Sequence, residues 1–525
     1  MLLGELIRGL NIHATGKGSD AVRICDLTED SRTVLPGSLF IARPGTKADG
    51  RRFIEQAIAA DAVAVLTTPD VQAPDSAADL AWLTAGDVPL AEARIAERFF
   101  GNPSSKLTLI GATGTNGKTT VTHLVHQLLN DADMRCGLIG TTTIDDGGRQ
   151  AKATLTTPPA IELSYTLSKM LDNGCAAASM EVSSHSLDQQ RVAALDFDIA
   201  VFTNLTGDHL DYHQTMERYA AAKARLFESL KPAGTAIVNA DDPAHRTMTA
   251  NCRARILRCS AGNDTGAECT AEAGRMTFAG MPITLRGPWG TIEGHTRLIG
   301  AFNVMNILQA VAAAHAAGVE RDDIALSLFH LQPPPGRLER VSRVASPAGS
   351  NDIAVFVDYA HTDDALAKAI AAVRPLLDDS GGNLRVVFGC GGDRDRTKRP
   401  RMARVAASLA DEVFITSDNP RTEKPLAIID DILAGIDTDS ARKKIHVEPD
   451  RRAAIILAIE SARPGDAVLI AGKGHEDYQL VSDNAGGILR LDFDDRIVAH
   501  DALKARVARD ESAKPAANPG EPART

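Results

Sequence analysis

The sequence predicts an α/β protein of three domains. Three observations lead there. The chain has 525 residues, and domains average roughly 100–200 residues. Short apolar runs alternate with stretches of helical spacing along most of its length. Loop-forming breaks occur at Gly101-Asn-Pro-Ser-Ser105 and Gln332-Pro-Pro-Pro-Gly336. These breaks divide the chain into domains at 1–105, 106–338 and 339–500, with an extension over 501–525. A hydrophobic fraction of 44% is enough to build several cores.

In the first domain, helices are expected over Phe53–Ala60 and Ala91–Phe100, with a strand over Ala62–Leu66. The second domain opens on an apolar strand, Leu107–Ile110. A loop rich in glycine and threonine follows, Gly111–Gly117, and then the helical spacing of Val121–Leu129. Strand, glycine loop and helix in that order mark a phosphate-binding loop. Its glycines let backbone N–H groups close around phosphate oxygens, and the helix turns its positive end toward them. Lys118 would reach the β- and γ-phosphates, and the Thr119 hydroxyl would ligate Mg²⁺. Ala112 stands where such a loop usually has its first glycine. Its methyl group is small enough to keep the loop.

Ala176–Met180, Ile199–Thr203 and Ala236–Val238 are further strand candidates. Polar residues follow each of them, at the strand end where open α/β sheets place ligands. Residues 255–300 read as a small β-rich insertion, and Phe302–Ala317 as a helix ended by Gly318. In the third domain, strands over Ile353–Val357, Leu384–Phe388, Val413–Thr416 and Ala467–Ile470 each run into a polar or glycine-rich turn. The turns are Asp358–His361, Gly389–Arg394, Ser417–Arg421 and Gly472–Glu476, and they are expected to share one rim of a sheet. From about Asp510 the composition predicts disorder.

A net charge of −11 argues against nucleic acid as the main partner. Anionic substrates must then be captured by local arginines and helix ends. The seven cysteines are scattered and form no C-x-x-C pair, which favours reduced thiols over disulfides or zinc. Met1–Leu10 lacks the character of a signal peptide. No run reaches the roughly 18 apolar residues of a membrane span. A cytoplasmic protein without membrane insertion is expected.

Four sites stand out. Glu181 follows a strand, where a phosphate-loop enzyme places an acidic metal partner; the alternative is a surface glutamate. His209 and His213 are four apart, but the glutamate of H-E-x-x-H is missing, which argues against a zinc hydrolase. A single histidine assisting Mg²⁺ and a loop-ordering cluster both remain open. Lys223 shares a helical face with Tyr219, Leu226 and Phe227, so it snorkels, pairs or is altered. Arg421 follows Asp418-Asn-Pro in a turn that would expose a guanidinium fork to a substrate carboxylate, and Arg394 could do the same. Either alone is more often a surface ion pair.

Taken together, these residues resemble the Mur ligase family, from about Thr28 to about Gln479. The resemblance implies a central P-loop ATPase-like parallel sheet, flanked by an N-terminal UDP-sugar-binding domain and a C-terminal Rossmann-like domain. It implies an ATP-dependent amide ligase that adds meso-2,6-diaminopimelate to UDP-N-acetylmuramoyl-L-alanyl-D-glutamate through an acyl phosphate, acting as a monomer with Mg²⁺. On this reading Gly114, Thr115, Asn116, Gly117, Lys118, Thr119 and Thr120 bind ATP, with Asn303, Asn306, Arg337, Asp358 and His361 lining the nucleotide site. Glu181 and His209 match metal positions, and Lys223 matches a carbamylated lysine. Ser31, Thr46, Lys47, Ala48, Thr156, Thr157, Ser183, Gln189 and Arg191 match positions for the UDP-sugar dipeptide. Arg394, Asp418, Asn419, Pro420, Arg421, Gly472 and Glu476 match the amino-acid pocket. A proline is common in the family where this chain has Asp363. Asp418–Arg421 argues against a lysine-adding relative, and the dipeptide-sugar motifs argue against a folylpolyglutamate synthetase. A GTPase-type switch would carry N-K-x-D, which the sequence lacks.

Overall fold

The computed structural model describes residues 1–16, 19–45, 49–77, 80–262, 266–341, 353–378, 381–436, 442–483 and 486–512. The expected contacts of Thr46, Lys47 and Ala48, and the chain beyond 512, lie outside these residues. The chain divides into two compact units. One comprises 1–272, 284–293 and 304–328; the other comprises 273–283, 294–303 and the chain from 329 onward.

The first unit begins with a five-stranded sheet: β1 (His13–Thr15), β2 (Asp26–Thr28), β3 (Ser38–Ile41), β4 (Ala64–Thr67) and β5 (Ala81–Thr84), in the order β1-β5-β4-β3-β2. Only β1 runs antiparallel to its neighbour. β3 and β4 are buried along their whole length, as sequences covered on both faces must be. Leu39, Ile41 and Leu66 pack toward Ile95 of the helix Val88–Phe99. Phe40 and Val65, pointing the other way, pack toward Ile54 and Ala57 of the helix Ile54–Ala59. The longer helix starts earlier than its apolar pattern suggests. The Asp87 side chain caps it by accepting from Leu90 N at 3.0 Å, and a proline sits in its first turn.

The large sheet comprises β6 (Thr108–Thr113), β7 (Cys136–Ile139), β8 (Thr143–Asp145), β9 (Gln150–Lys152), β10 (Ala177–Glu181), β11 (Ile199–Phe202), β12 (Thr235–Asn239), β13 (Arg255–Ser260), β14 (Cys269–Ala273), β15 (Met281–Gly287) and β16 (Gly290–Thr296). Its order is β16-β15-β14-β13-β12-β11-β6-β10-β7-β8-β9. The stretch from β14 to β7 is parallel. The residues expected as a β-rich insertion therefore extend this sheet. β13 satisfies the backbone groups that β12 would otherwise leave as an open edge. Register places the site: Ala112 pairs with Glu181, and Thr113 with Phe202. The phosphate loop thus leaves β6 between the carboxyl ends of β10 and β11.

In the second unit, β17 (Glu339–Arg340), β18 (Ala354–Asp358), β19 (Leu384–Phe388), β20 (Glu412–Ile415), β21 (Ile445–Val447) and β22 (Ala467–Ala471) form a sheet in the order β17-β18-β22-β19-β20-β21. All pairs are parallel except β17 with β18. β23 (Tyr478–Ser482) and β24 (Ile488–Asp492) make a separate hairpin. Strand residues alternate between two cores. Phe356, Val386 and Leu469 pack with the helices Asp363–Val373, Lys398–Leu409 and Pro425–Leu433. Val355, Val387 and Val468 pack with Arg451–Glu460 and Asp495–Ser512. β22 lies between β18 and β19, so the strand order reverses there. The four predicted turns then gather along one carboxyl rim at that switch point.

Candidate active site

The phosphate loop is folded as its sequence requires. β6 runs on through Ala112 and Thr113, so Ala112 is a buried strand residue rather than part of the turn. Gly114 has φ +150°, and a Cβ there would lie 1.9 Å from Thr203 Oγ1. Gly117, at φ +89°, caps the helix Lys118–Asp131, and a Cβ there would lie 2.7 Å from Asn306 Oδ1. Asn306 is thereby placed against the loop. Lys118 Nζ donates to the carbonyls of Gly114 and Thr115, both at 2.9 Å. Asn116 N donates to Asn204 Oδ1 at 3.0 Å, which ties the loop to the end of β11.

Glu181 is fully buried as the last residue of β10. It is not a surface glutamate. Its Oε2 accepts from Thr119 Oγ1 at 3.0 Å and Thr141 Oγ1 at 3.1 Å, and its Oε1 accepts from Thr141 N at 2.7 Å. Lys223, 1% exposed, donates from Nζ to the Gly114 carbonyl at 2.8 Å and lies 4.4 Å from the Tyr219 ring centroid. Burial, reinforced by the neighbouring Lys118 charge, holds the Lys223 amine well below the usual lysine range. His209 does not share a helix with His213. It precedes the short helix Leu210–His213 with φ +54°, while His213 Nε2 meets Ser184 Oγ at 2.9 Å. Burial lowers the His209 pKa against the pull of Asp208, and the charges of Lys118 and Lys223 add to the lowering. The aromatic rings of His185 and Tyr219 flank it.

Several residues expected to meet the UDP-sugar dipeptide converge beneath Glu181. Thr157 Oγ1 donates to the Glu181 carbonyl at 2.8 Å and accepts from Ser183 N at 3.1 Å. Arg191 donates to the Thr157 carbonyl at 2.8 Å, and through Nε and Nη2 to Gln189 Oε1. Thr156 accepts from Thr141 Oγ1 at 3.1 Å. Ser31 follows β2 and donates to Gln56 at 3.0 Å. Burial, with Arg43 close by, depresses the Arg191 guanidinium. Arg43 in turn pairs with Glu29 at 2.8 Å and Glu92 at 3.3 Å.

In the second unit, Asp358 accepts from Leu338 N at 2.7 Å and Ala360 N at 2.8 Å. Arg337 lies over the Tyr359 ring. Its buried Nε has no hydrogen-bond partner among the described residues, as suits a donor kept for an anion. His361 Nδ1 contacts the Tyr359 carbonyl at 2.9 Å, and Asn303 Nδ2 donates to the Ile299 carbonyl at 2.7 Å. Residues expected in the amino-acid pocket meet on the rim. Asn419 Nδ2 donates to Glu476 Oε2 at 2.8 Å. Arg421 follows Pro420 with φ +51° and is anchored by one nitrogen to the Gly392 carbonyl at 2.7 Å. A Cβ on Gly472 would stand 3.0 Å from Asp418 Oδ2. Arg394 is exposed within the loop that joins β19 to the helix Lys398–Leu409.

Residues outside the sequence reading complete these sites. Thr141 follows β7, another carboxyl end on the same rim, and that position was its available signal. Arg399, wholly buried, grips Glu423 and Asp431 and holds the Gly391 carbonyl at 3.1 Å. Arg451 is also wholly buried. It pairs with Asp495 and donates to the carbonyls of Ser417 and Ala471, joining two rim strands. An arginine inside a helix pattern reads as a surface residue, so no sequence signal points to either.

No group of three or more His, Cys, Asp or Glu side chains among the described residues is arranged to hold a metal. No helix among the described residues is long and apolar enough to cross a membrane.

Comparison with known proteins agrees with this arrangement. Residues 24–99 match the Mur ligase family catalytic domain, 112–314 the Mur ligase middle domain, and 336–474 the Mur ligase glutamate ligase domain. The chain is 47% identical over 487 residues to a UDP-N-acetylmuramoyl-L-alanyl-D-glutamate–2,6-diaminopimelate ligase of Synechococcus elongatus, covering 92% of this chain and 94% of that one. It is 44% identical over 497 residues to the ligase of the same name from Geobacillus thermodenitrificans, with 92% and 95% covered. A solved structure of a ligase of that name superimposes with a TM-score of 0.68 at 33% identity, covering 96% of this chain and 99% of that one. Matched by family models along most of its length and by relatives 44–47% identical over more than nine-tenths of the chain, it belongs to the Mur ligase family.

Proposed function

We propose that the protein joins meso-2,6-diaminopimelate to UDP-N-acetylmuramoyl-L-alanyl-D-glutamate at the expense of ATP. One observation carries the choice of amino acid: Asp418, Asn419, Arg421 and Glu476 gather on one rim, where Asn419 bonds Glu476 and Arg421 follows two residues on in the same turn. Diaminopimelate ends in a second amino-acid centre bearing both a carboxylate and an ammonium. Lysine ends in an ammonium alone. Arg421 attracts the former and repels the latter, and Glu476 takes the distal ammonium.

In the reaction, a glutamyl carboxylate oxygen bonds to the γ-phosphorus of ATP as the bond to ADP breaks. The diaminopimelate amine then adds to the acyl carbon, loses a proton, and phosphate leaves. Two anions must approach in the first step, and Lys118 with the loop N–H groups offsets their repulsion. The Thr119 hydroxyl and Glu181 carboxylate, 3.0 Å apart, are hard oxygen donors. They suit Mg²⁺, which binds through one or two carboxylates together with phosphate oxygens. Bound there, Mg²⁺ supplies charge neutralisation to the transferring phosphoryl group. His209 and Lys223 are the further candidates to hold metal. The buried, neutral-leaning Lys223 amine favours the form that adds CO₂ to give an anionic carbamate. The protein is proposed to act as a cytoplasmic monomer, and sedimentation tests the oligomeric state.

The test is phosphate release from ATP with the UDP-muramoyl dipeptide present and meso-diaminopimelate or L-lysine added in parallel. Release with diaminopimelate alone is expected. Release with lysine would overturn the reading of Arg421, and release only with a folate and glutamate would overturn the substrate. Arg421→Ala is expected to raise KM for diaminopimelate by about two orders of magnitude, from loss of a half-buried charge-assisted partner, and to leave KM for ATP nearly unchanged.

A further inference from the structure

Lys473 is wholly buried, which is unusual for a lysine, in the turn after β22. Left-handed glycines at 472 and 474 flank it, with φ +113° and +54°. Its Nζ donates to Glu476 Oε2 at 2.9 Å and Asn419 Oδ1 at 3.1 Å, and lies 3.7 Å from Asp418 Oδ1. Three residues of the amino-acid pocket therefore share one ammonium.

We infer that Lys473 is a positioning residue that orders the amino-acid pocket and sets its charge; this rests on the reading of that pocket given above. Asn419 Oδ1 accepts from Lys473 and also from Leu480 N at 2.9 Å, so the amide can turn only one way. Its Nδ2 must then face Glu476, and it does, at 2.8 Å. Two donors converge on Glu476 Oε2, which leaves Oε1 for an incoming ammonium. Charge follows the same logic. Asp418 and Glu476 together carry two negative charges, and Lys473 cancels one. The remaining single charge matches one distal ammonium. Without Lys473 the two carboxylates repel each other, and Asn419 loses the contact that orients it.

Lys473→Met keeps the length and removes the charge. It is expected to raise KM for diaminopimelate at least tenfold, with KM for ATP and for the UDP-sugar dipeptide within twofold of the parent. If Lys473 acts through Glu476, the two substitutions are coupled. In a Glu476→Gln background, Lys473→Met should then change KM by less than twofold. Multiplying effects, or an equal rise in KM for ATP, would overturn the proposal. The cycle is read on whichever amino acid the parent uses, so a different substrate would sink the reading of the reaction and leave this one standing. A crystal structure of Lys473→Met tests positioning without any substrate. Loss of the Asn419–Glu476 bond supports it, and an unmoved pair refutes it.

Discussion

Replacing Gly114 with alanine should abolish tight nucleotide binding while leaving the fold intact. The new Cβ would stand 1.9 Å from Thr203 Oγ1 and 3.0 Å from the Asn204 carbonyl. Thr203 has little freedom to yield, being buried and donating to the Asn116 carbonyl at 2.6 Å. Turning it away forfeits that bond, about 1 kcal/mol. The backbone at φ +150° adds about 1–3 kcal/mol of strain for any side chain. The easier route is for the loop to move. The Gly114 carbonyl then leaves Lys118 and Lys223, which both donate to it. Losing two N–H bonds to phosphate at about 1.5 kcal/mol each amounts to about 3 kcal/mol, or about two orders of magnitude in Kd. Calorimetric titration with ADP measures this, and thermal unfolding reports on the fold. An alanine variant that binds ADP within threefold of the parent would refute the reasoning.

Three further outcomes are expected. If Lys223 is carbamylated, protein stripped of CO₂ loses activity and bicarbonate restores it; indifference to bicarbonate, with an unmodified lysine by mass, would remove the carbamate from the mechanism. Burial pushes the Glu92 carboxyl up to about 7 from 4.5, despite Arg43. The folded state therefore binds the extra proton, and the contribution of Glu92 to stability is greatest below about pH 4.5 and falls as pH rises toward 7. The span is on the order of 3 kcal/mol. Glu92→Gln should flatten that fall in urea unfolding between pH 5 and 8, and an unchanged slope would refute the assignment. Arg451→Met leaves the wholly buried Asp495 without its partner and should cost about 3–5 kcal/mol. Arg451→Met with Asp495→Leu should recover most of it, as denaturant midpoints will tell.

Local chemistry made much of this protein legible from its residues. Gly114 and Gly117 take conformations that side-chain-bearing residues rarely adopt, at points where a Cβ would clash. Their setting between an apolar strand and a helix is visible without coordinates. Apolar runs ending in Asp418-Asn-Pro-Arg421 or Gly472–Glu476 mark strand ends, because a strand buried on both faces must change character where it emerges. The resemblance to a family added roles that spacing alone does not assign. What stayed hidden depends on distant partners. Lys223 reads as one lysine on an apolar stripe; only packing against Tyr219 and the Gly114 carbonyl makes it a buried, neutral-leaning amine. Residues 255–300 look like an insertion, because their alternation fits any half-buried sheet. It is the open edge of β12 that recruits β13 into the main sheet. Arg399, Arg451 and Lys473 look like solvent-facing charges, since the sequence gives no sign of the carboxylates and carbonyls that meet them. The sequence alone determined where the chain turns, which residues are apolar and which loop can hold phosphate. The tertiary structure decided which charges are buried, because burying a charge requires partners that residues far apart in the chain provide.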